Sequence, residues 1–124
     1  MAKTAADMVA AANAVVPKLN VAEAKAKIAA GALVVDVRDP AEVAASGKVP
    51  GAVNVPRGML EFKADAASAA HMPEFDTARP VVLYCAAGGR AALAGKMLQE
   101  MGFSDVSNIG GFKDWVEGGG EVER

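Results

Sequence analysis

Apolar positions fall into short runs separated by polar, helix-forming stretches. Residues 33–37 (Leu-Val-Val-Asp-Val) are bounded by Gly31 and Pro40 and rich in β-branched side chains. This composition predicts a buried strand. Residues 81–84 after Pro80, residues 52–55 between Gly51 and Pro56, and residues 106–109 before Gly110-Gly111 predict three more. None alternates cleanly between apolar and polar, as expected of parallel strands covered on both faces.

Helices are predicted between the strands. Residues 20–30 open with Asn20 and Glu23 at capping-box spacing and stop at Gly31. Their alternating charges have a strand period, but Ala, Glu and Lys favour helix. Asp39-Pro40-Ala41-Glu42 is a helix start with proline at the first position. Residues 91–101 carry Leu93, Met97, Leu98 and Met101 on one stripe and end at Gly102. Residues 112–117 form a last short helix with Phe112, Trp115 and Val116 inward, and residues 59–70 are expected to be helical up to the break at His71-Met72-Pro73. At the N-terminus, residues 4–15 read as a helix capped by Thr4, with Asp7 in its first turn, rather than as an export signal. Strand and helix alternate, so the fold class is α/β with a mostly parallel sheet.

Composition narrows the chemistry. The 124 residues suit one domain, long enough to bury about two-thirds of the unfolded surface without a disulfide or metal staple. Hydrophobic residues are 52% and charged residues 23%, with a net charge of -2, so nothing suggests a nucleic-acid partner. No run approaches the roughly 18 apolar residues of a membrane span, and a cytoplasmic location is expected. One cysteine, Cys85, and one histidine, His71, exclude an internal disulfide and argue against a metal site.

Cys85 stands where the strand at residues 81–84 runs into Ala86-Ala87-Gly88-Gly89-Arg90 and then a helix. Ligands of open α/β sheets bind at the carboxyl ends of strands. Small residues let such a loop curl into a nest of N–H groups, and the two glycines allow positive φ. The helix dipole adds to the nest, so Cys85 is expected to be largely thiolate near neutral pH, and Arg90 adds a fixed cation. The competing reading is a small buried hydrophobe in an ordinary turn. Asp36 and Arg38 are expected to pair within the fold, and His71 to lie at the surface. Arg57 lies at another strand end, a candidate for the pocket rim against the commoner solvated arginine.

Four segments, in order, resemble motifs of the single-domain rhodanese family. They are Val34-Val35-Asp36-Val37-Arg38, the stretch Gly47-Lys48-Val49-Pro50-Gly51-Ala52-Val53-Asn54-Val55-Pro56, the loop Cys85 to Arg90, and Gly110-Gly111-Phe112-Lys113-Asp114-Trp115. The resemblance covers roughly residues 18–122, leaving residues 1–17 as an N-terminal helical extension before a domain at 18–124. Lys48 departs from the family's histidine.

The resemblance implies a rhodanese-like three-layer fold, with helices on both faces of the sheet. It also implies a sulfurtransferase in which Cys85 attacks a small anionic donor such as thiosulfate. The N–H groups of Ala86, Ala87, Gly88, Gly89 and Arg90 would hold the persulfide, and cyanide or a thiol would accept the sulfur. No cofactor or metal is implied. A non-catalytic module, relaying sulfur to a protein partner, is the alternative. A phosphatase or arsenate reductase is a weaker one, because such enzymes use Cys-x5-Arg and four residues separate Cys85 from Arg90.

Overall fold

The helix starts follow from local side-chain chemistry. In the computed structural model, which describes residues 2–124, Thr4 Oγ1 accepts the Asp7 N–H and Asp7 accepts the Thr4 N–H, opening α1 (Ala5–Val15). Asn20 and Glu23 exchange the same pair of bonds at the start of α2 (Val21–Ala29). Each box satisfies two N–H groups that lack intrahelical acceptors. Next come β1 (Leu33–Asp36), α3 (Pro40–Ser46), β2 (Val53–Asn54) and a single 3-10 turn at Arg57–Met59. They are followed by α4 (Leu60–Ala64), β3 (Val81–Cys85), α5 (Gly89–Glu100), β4 (Val106–Gly111) and α6 (Phe112–Glu117).

The four strands are parallel, in the order β2-β1-β3-β4. Successive side chains of a strand point to opposite faces, and both faces are covered. Leu33, Val35, Val81, Leu83 and Cys85 pack with Leu60, Ala91, Ala94 and Leu98 from α4 and α5. Val34, Val82, Tyr84 and Ile109 pack with Ala24, Phe112 and Trp115 from α2 and α6. This is the expected three-layer α/β architecture. It also explains why the strands read as unbroken apolar runs. Leu60, Leu83 and Leu98 are fully buried, each stabilising the fold by about 1.5–3 kcal/mol.

The structure differs from the sequence reading in three places that matter. First, the helix expected over residues 59–70 survives only as the 3-10 turn and α4. Asp65 leaves the helical region and its carboxylate accepts the Ala67 N–H, so a local turn outcompetes the helix. His71 is half-buried here, with Nδ1 3.1 Å from the Lys63 carbonyl oxygen. Second, α5 begins at Gly89, two residues earlier than the expected start at Ala91, so its first turn belongs to the cysteine loop. Third, β4 continues through the glycines expected to end it. Gly110 has φ +101, and a bulge lets Tyr84 pair with Gly110 after Leu83 pairs with Asn108.

Residues before α2 are tied to the sheet edge. Lys18 bridges Asn108 in parallel, with Leu19 N–H donating to the Asn108 carbonyl and Asn108 N–H to the Pro17 carbonyl, both at 2.9 Å. α1 packs along α5, where Val16 methyls fill the space over Gly95 that a Cβ would need. Lys48 serves the fold. Its Nζ donates to the Ala52 carbonyl (2.9 Å) and pairs with Glu123 (3.3 Å), while its backbone bridges Glu123. Among the described residues no helix is long and apolar enough to cross a membrane.

Candidate active site

Cys85 is the last residue of β3, one position past the expected strand end, and is 1% exposed. Its partner in the register is Gly111, so the cysteine loop rests against the end of β4. The fit requires glycine. A Cβ at Gly111 would lie 2.4 Å from the Ala86 carbonyl oxygen, and one at Gly88 would lie 3.3 Å from Gly110 Cα. Gly88 has φ +104, the positive φ expected of the loop, whereas Gly89 is already helical.

The turn at Gly88 sends N–H groups toward the sulfur. Gly88 N–H donates to Cys85 Sγ at 3.0 Å and Ala91 N–H at 3.4 Å. A residue such as Ser or Asp at an N-cap would supply an acceptor for the first helical turn. Gly88 has no side chain to do so, and Sγ serves instead. Gly89 and Arg90, also in the first turn, have no intrahelical acceptor for their N–H groups. Ala91 was missed as a sulfur contact because the predicted helix began there rather than at Gly89. Asn108 supports the loop from β4: its Nδ2 donates to the Gly88 carbonyl (3.3 Å) and its Oδ1 accepts the Gly110 N–H (2.7 Å).

Arg90 is held by a residue that sequence reasoning did not connect to it. Nη1 and Nη2 each donate to a different oxygen of Glu42, both at 2.9 Å. This fork pins the cysteine loop to the first turn of α3. Glu42 also accepts the Asp39 N–H (2.9 Å), so its carboxylate serves as cap and counter-ion together. The guanidinium proton is held more tightly than usual, first by Glu42, against the opposing effect of burial, and also by charge at Cys85.

The same contacts pull the Glu42 carboxyl from its ordinary 4.5 down to about 2, with the Arg90 bond the largest cause and the Asp39 N–H next. A carboxyl lowered on folding stabilises the fold above its unfolded value and loses that contribution as pH falls through the folded one. The Arg90–Glu42 link should thus be whole above about pH 4.5 and fail near about pH 2. Carbon-detected NMR of the Glu42 carboxyl should give a midpoint near about 2, rising toward 4.5 in Arg90→Met. A wild-type midpoint at 4.5 would show that the fork does not persist in solution.

Arg57 opens the 3-10 turn that follows β2. Its Nη1 pairs with Glu61 (3.0 Å), and it lines a groove with Lys3, Met8 and Leu93 between α1 and α5. It makes no hydrogen bond to the cysteine loop. Asp36 and Arg38 form the expected pair at 2.6 Å, both essentially buried. Among the described residues no cluster of three or more His, Cys, Asp or Glu side chains could hold a metal ion.

Comparison with known proteins agrees with this layout. Residues 20–118 match the family model described as a rhodanese-like domain. The chain is 30% identical over 109 residues to the thiosulfate:glutathione sulfurtransferase of Homo sapiens, covering 82% of this chain and 94% of that protein. It is 40% identical over 80 residues to the thiosulfate sulfurtransferase PspE of Escherichia coli (strain K12), covering 64% of this chain and 70% of that one. A solved structure from Rhodopseudomonas palustris, described as a protein of unknown function and possible tyrosine phosphatase, matches with TM-score 0.90 and 38% identity over 99% of this chain and 96% of that one. A human single-domain sulfurtransferase matches with TM-score 0.70 and 28% identity over 82% of this chain and 96% of that chain.

Proposed function

The chain belongs to the rhodanese-like domain family, and from that membership we propose that it moves a sulfane sulfur from thiosulfate, or a similar small anionic donor, through a persulfide on Cys85. Homology to sulfurtransferases supports sulfur transfer in general. The observation that carries the finer reading is the convergence of Gly88 N–H (3.0 Å) and Ala91 N–H (3.4 Å) on Sγ at the end of β3.

The chemistry balances with a single thiolate. Cys85 sulfur attacks the outer sulfur of thiosulfate, the S–S bond of the donor breaks, and sulfite leaves with the electron pair. The persulfide that remains carries its charge on the outer sulfur, and the N–H groups of the loop that lack intrahelical acceptors are the donors that would hold it. A thiophilic acceptor, cyanide or a thiol, then attacks that sulfur. The S–S bond of the persulfide breaks and Cys85 thiolate is released, a covalent two-step transfer. With one cysteine in the chain, no internal thiol can resolve the persulfide.

One feature favours sulfur over phosphorus as the transferred centre. Four residues separate Cys85 from Arg90, and the loop folds closely over one sulfur.

Incubation with thiosulfate should make the protein heavier by one sulfur atom in intact mass spectra. Cyanide should then restore the mass and release one thiocyanate per chain. An unchanged mass after thiosulfate, or Cys85-dependent hydrolysis of p-nitrophenyl phosphate, would overturn the reading.

A further inference from the structure

A recess beside the cysteine loop plays no part in the transfer just described. It is a cavity of ≈ 230 Å³ between the loop at Gly88 and the N-terminal arm, which contributes Asn13 and Lys18. Val9 closes one wall, with a methyl 3.9 Å from the Cβ position of Gly89. These arm residues lie before the 20–118 segment that matches the family model.

The lining has the chemistry of an anion site. Gly110, with φ +101, carries no side chain, and a Cβ there would meet Lys18 Cε at 3.2 Å and Nζ at 3.4 Å. Glycine thus lets the ammonium lie against the end of β4. Lys18 forms no ion pair among the described residues. The Asp114 carboxylate also approaches Gly110, but it accepts the Gly111 N–H at 2.9 Å. Asn108 is 3% exposed and lines the cavity. Its amide has two N–H donors, and Gly88 O takes one while the other has no partner among the described residues. Asn108, with one N–H to spare, and the exposed Lys18 and Asn13 line a cavity that has no carboxylate in its lining, a set of donors that suits an anion.

The geometry points to a subsite for the carboxylate of a sulfur-accepting thiol acid, with Lys18 as counter-ion and the Asn108 and Asn13 amides as donors. This rests on the sulfur-transfer reading and deepens it. Gly88 connects the two places: its N–H bonds Sγ at 3.0 Å while the residue itself lines the cavity. Gly88 is thus shared between the wall of the cavity and the loop that bonds the sulfur. The N-terminal arm then acts as a selector of acceptors, favouring thiols that carry a carboxylate over uncharged ones.

The test uses the full chain loaded with thiosulfate. Loss of persulfide is followed in single turnovers with mercaptoacetate, with longer mercapto acids and with uncharged mercaptoethanol. Lys18→Gln should raise the half-saturating concentration of the best mercapto acid roughly tenfold, as loss of a charge-assisted contact does. It should leave mercaptoethanol and thiosulfate loading unchanged. Free acetate should compete with the mercapto acid only. Acetate that instead slows mercaptoethanol and thiosulfate loading alike would identify a free anion acting on the loop, and would overturn the acceptor assignment. Equal effects of Lys18→Gln on charged and uncharged thiols would overturn the subsite itself. NMR separates this from the parent reading. Mercaptoacetate should shift the Asn108 and Gly110 amides in wild type and not in Lys18→Gln, whether or not persulfide forms. Absence of those shifts counts against the subsite, whereas absence of persulfide counts against the transfer chemistry.

Discussion

Cys85→Ser should leave the protein folded and reduce thiocyanate formation from thiosulfate and cyanide to the rate measured without protein. The substitution keeps a small polar side chain where Gly88 and Ala91 N–H groups converge, so the loop retains an acceptor at its centre. The cost is a slightly under-filled site in a tightly packed interior, about 1 kcal/mol, which a urea midpoint would register as a small shift. The chemistry, in contrast, has no substitute. A serine hydroxyl is a weak nucleophile without an adjacent general base, and it is not thiophilic. The only histidine, His71, is occupied near the Lys63 carbonyl rather than at the loop. No second cysteine can take over. The variant should gain no mass with thiosulfate. Turnover above background in a well-folded Cys85→Ser protein would mean that the sulfur is carried somewhere other than Cys85.

That prediction rests on a site whose centre was readable from sequence and whose supports were not. Cys85 could be located because a β-branched run opened by Pro80 meets two glycines and a helix, which are local signals. The N-caps at Thr4 and Asn20 were equally local, three residues from their partners. Glu42 had a visible signal as the fourth residue of Asp39-Pro40-Ala41-Glu42, but only as a cap. Its bond to Arg90 spans 48 positions and exists only because β1 and β3 are neighbours in the sheet. The bulge at Gly110 and the N–H of Ala91 depend on how β4 and α5 meet the loop, and no residue pattern encodes that meeting. The same holds for residues after Ala64, where a single Asp65 turn overrides good helix-forming composition.

Arg38→Leu is expected to destabilise the fold by about 3–5 kcal/mol, the cost of leaving a buried charge without its partner. Asp36 is fully buried, and Arg38 supplies most of what keeps it so. Nε and Nη2 donate to both carboxylate oxygens at 2.6–3.1 Å, and the Arg38 backbone N–H adds a further bond at 3.0 Å. The remaining guanidinium donors reach Ser46 Oγ (2.8 Å) and the Gly47 carbonyl (2.7 Å), which close the far end of α3. The guanidinium plane also lies 4.5 Å from the Phe112 ring centre and 5.5 Å from that of Tyr84. Leucine can replace the ring contacts and keeps the backbone N–H bond to Asp36, but it replaces none of the side-chain hydrogen bonds. Stability of a domain this size is commonly about 5–15 kcal/mol, so the loss reaches a large part of the whole. Asp36→Asn/Arg38→Leu tests the cause: a neutral amide needs no counter-ion, so the double variant should recover part of the loss in urea titrations. A single variant that loses under about 1 kcal/mol, or a double variant no better than the single, would show that charge burial is not what Arg38 answers. Function should follow stability here for a structural reason. α3 is held at its first turn by Glu42 on Arg90 and at its end by Arg38 on Ser46 and Gly47. Releasing one end leaves the other to position the cysteine loop alone. Sulfur loading in the double variant should therefore be slower than in wild type even where it is fully folded.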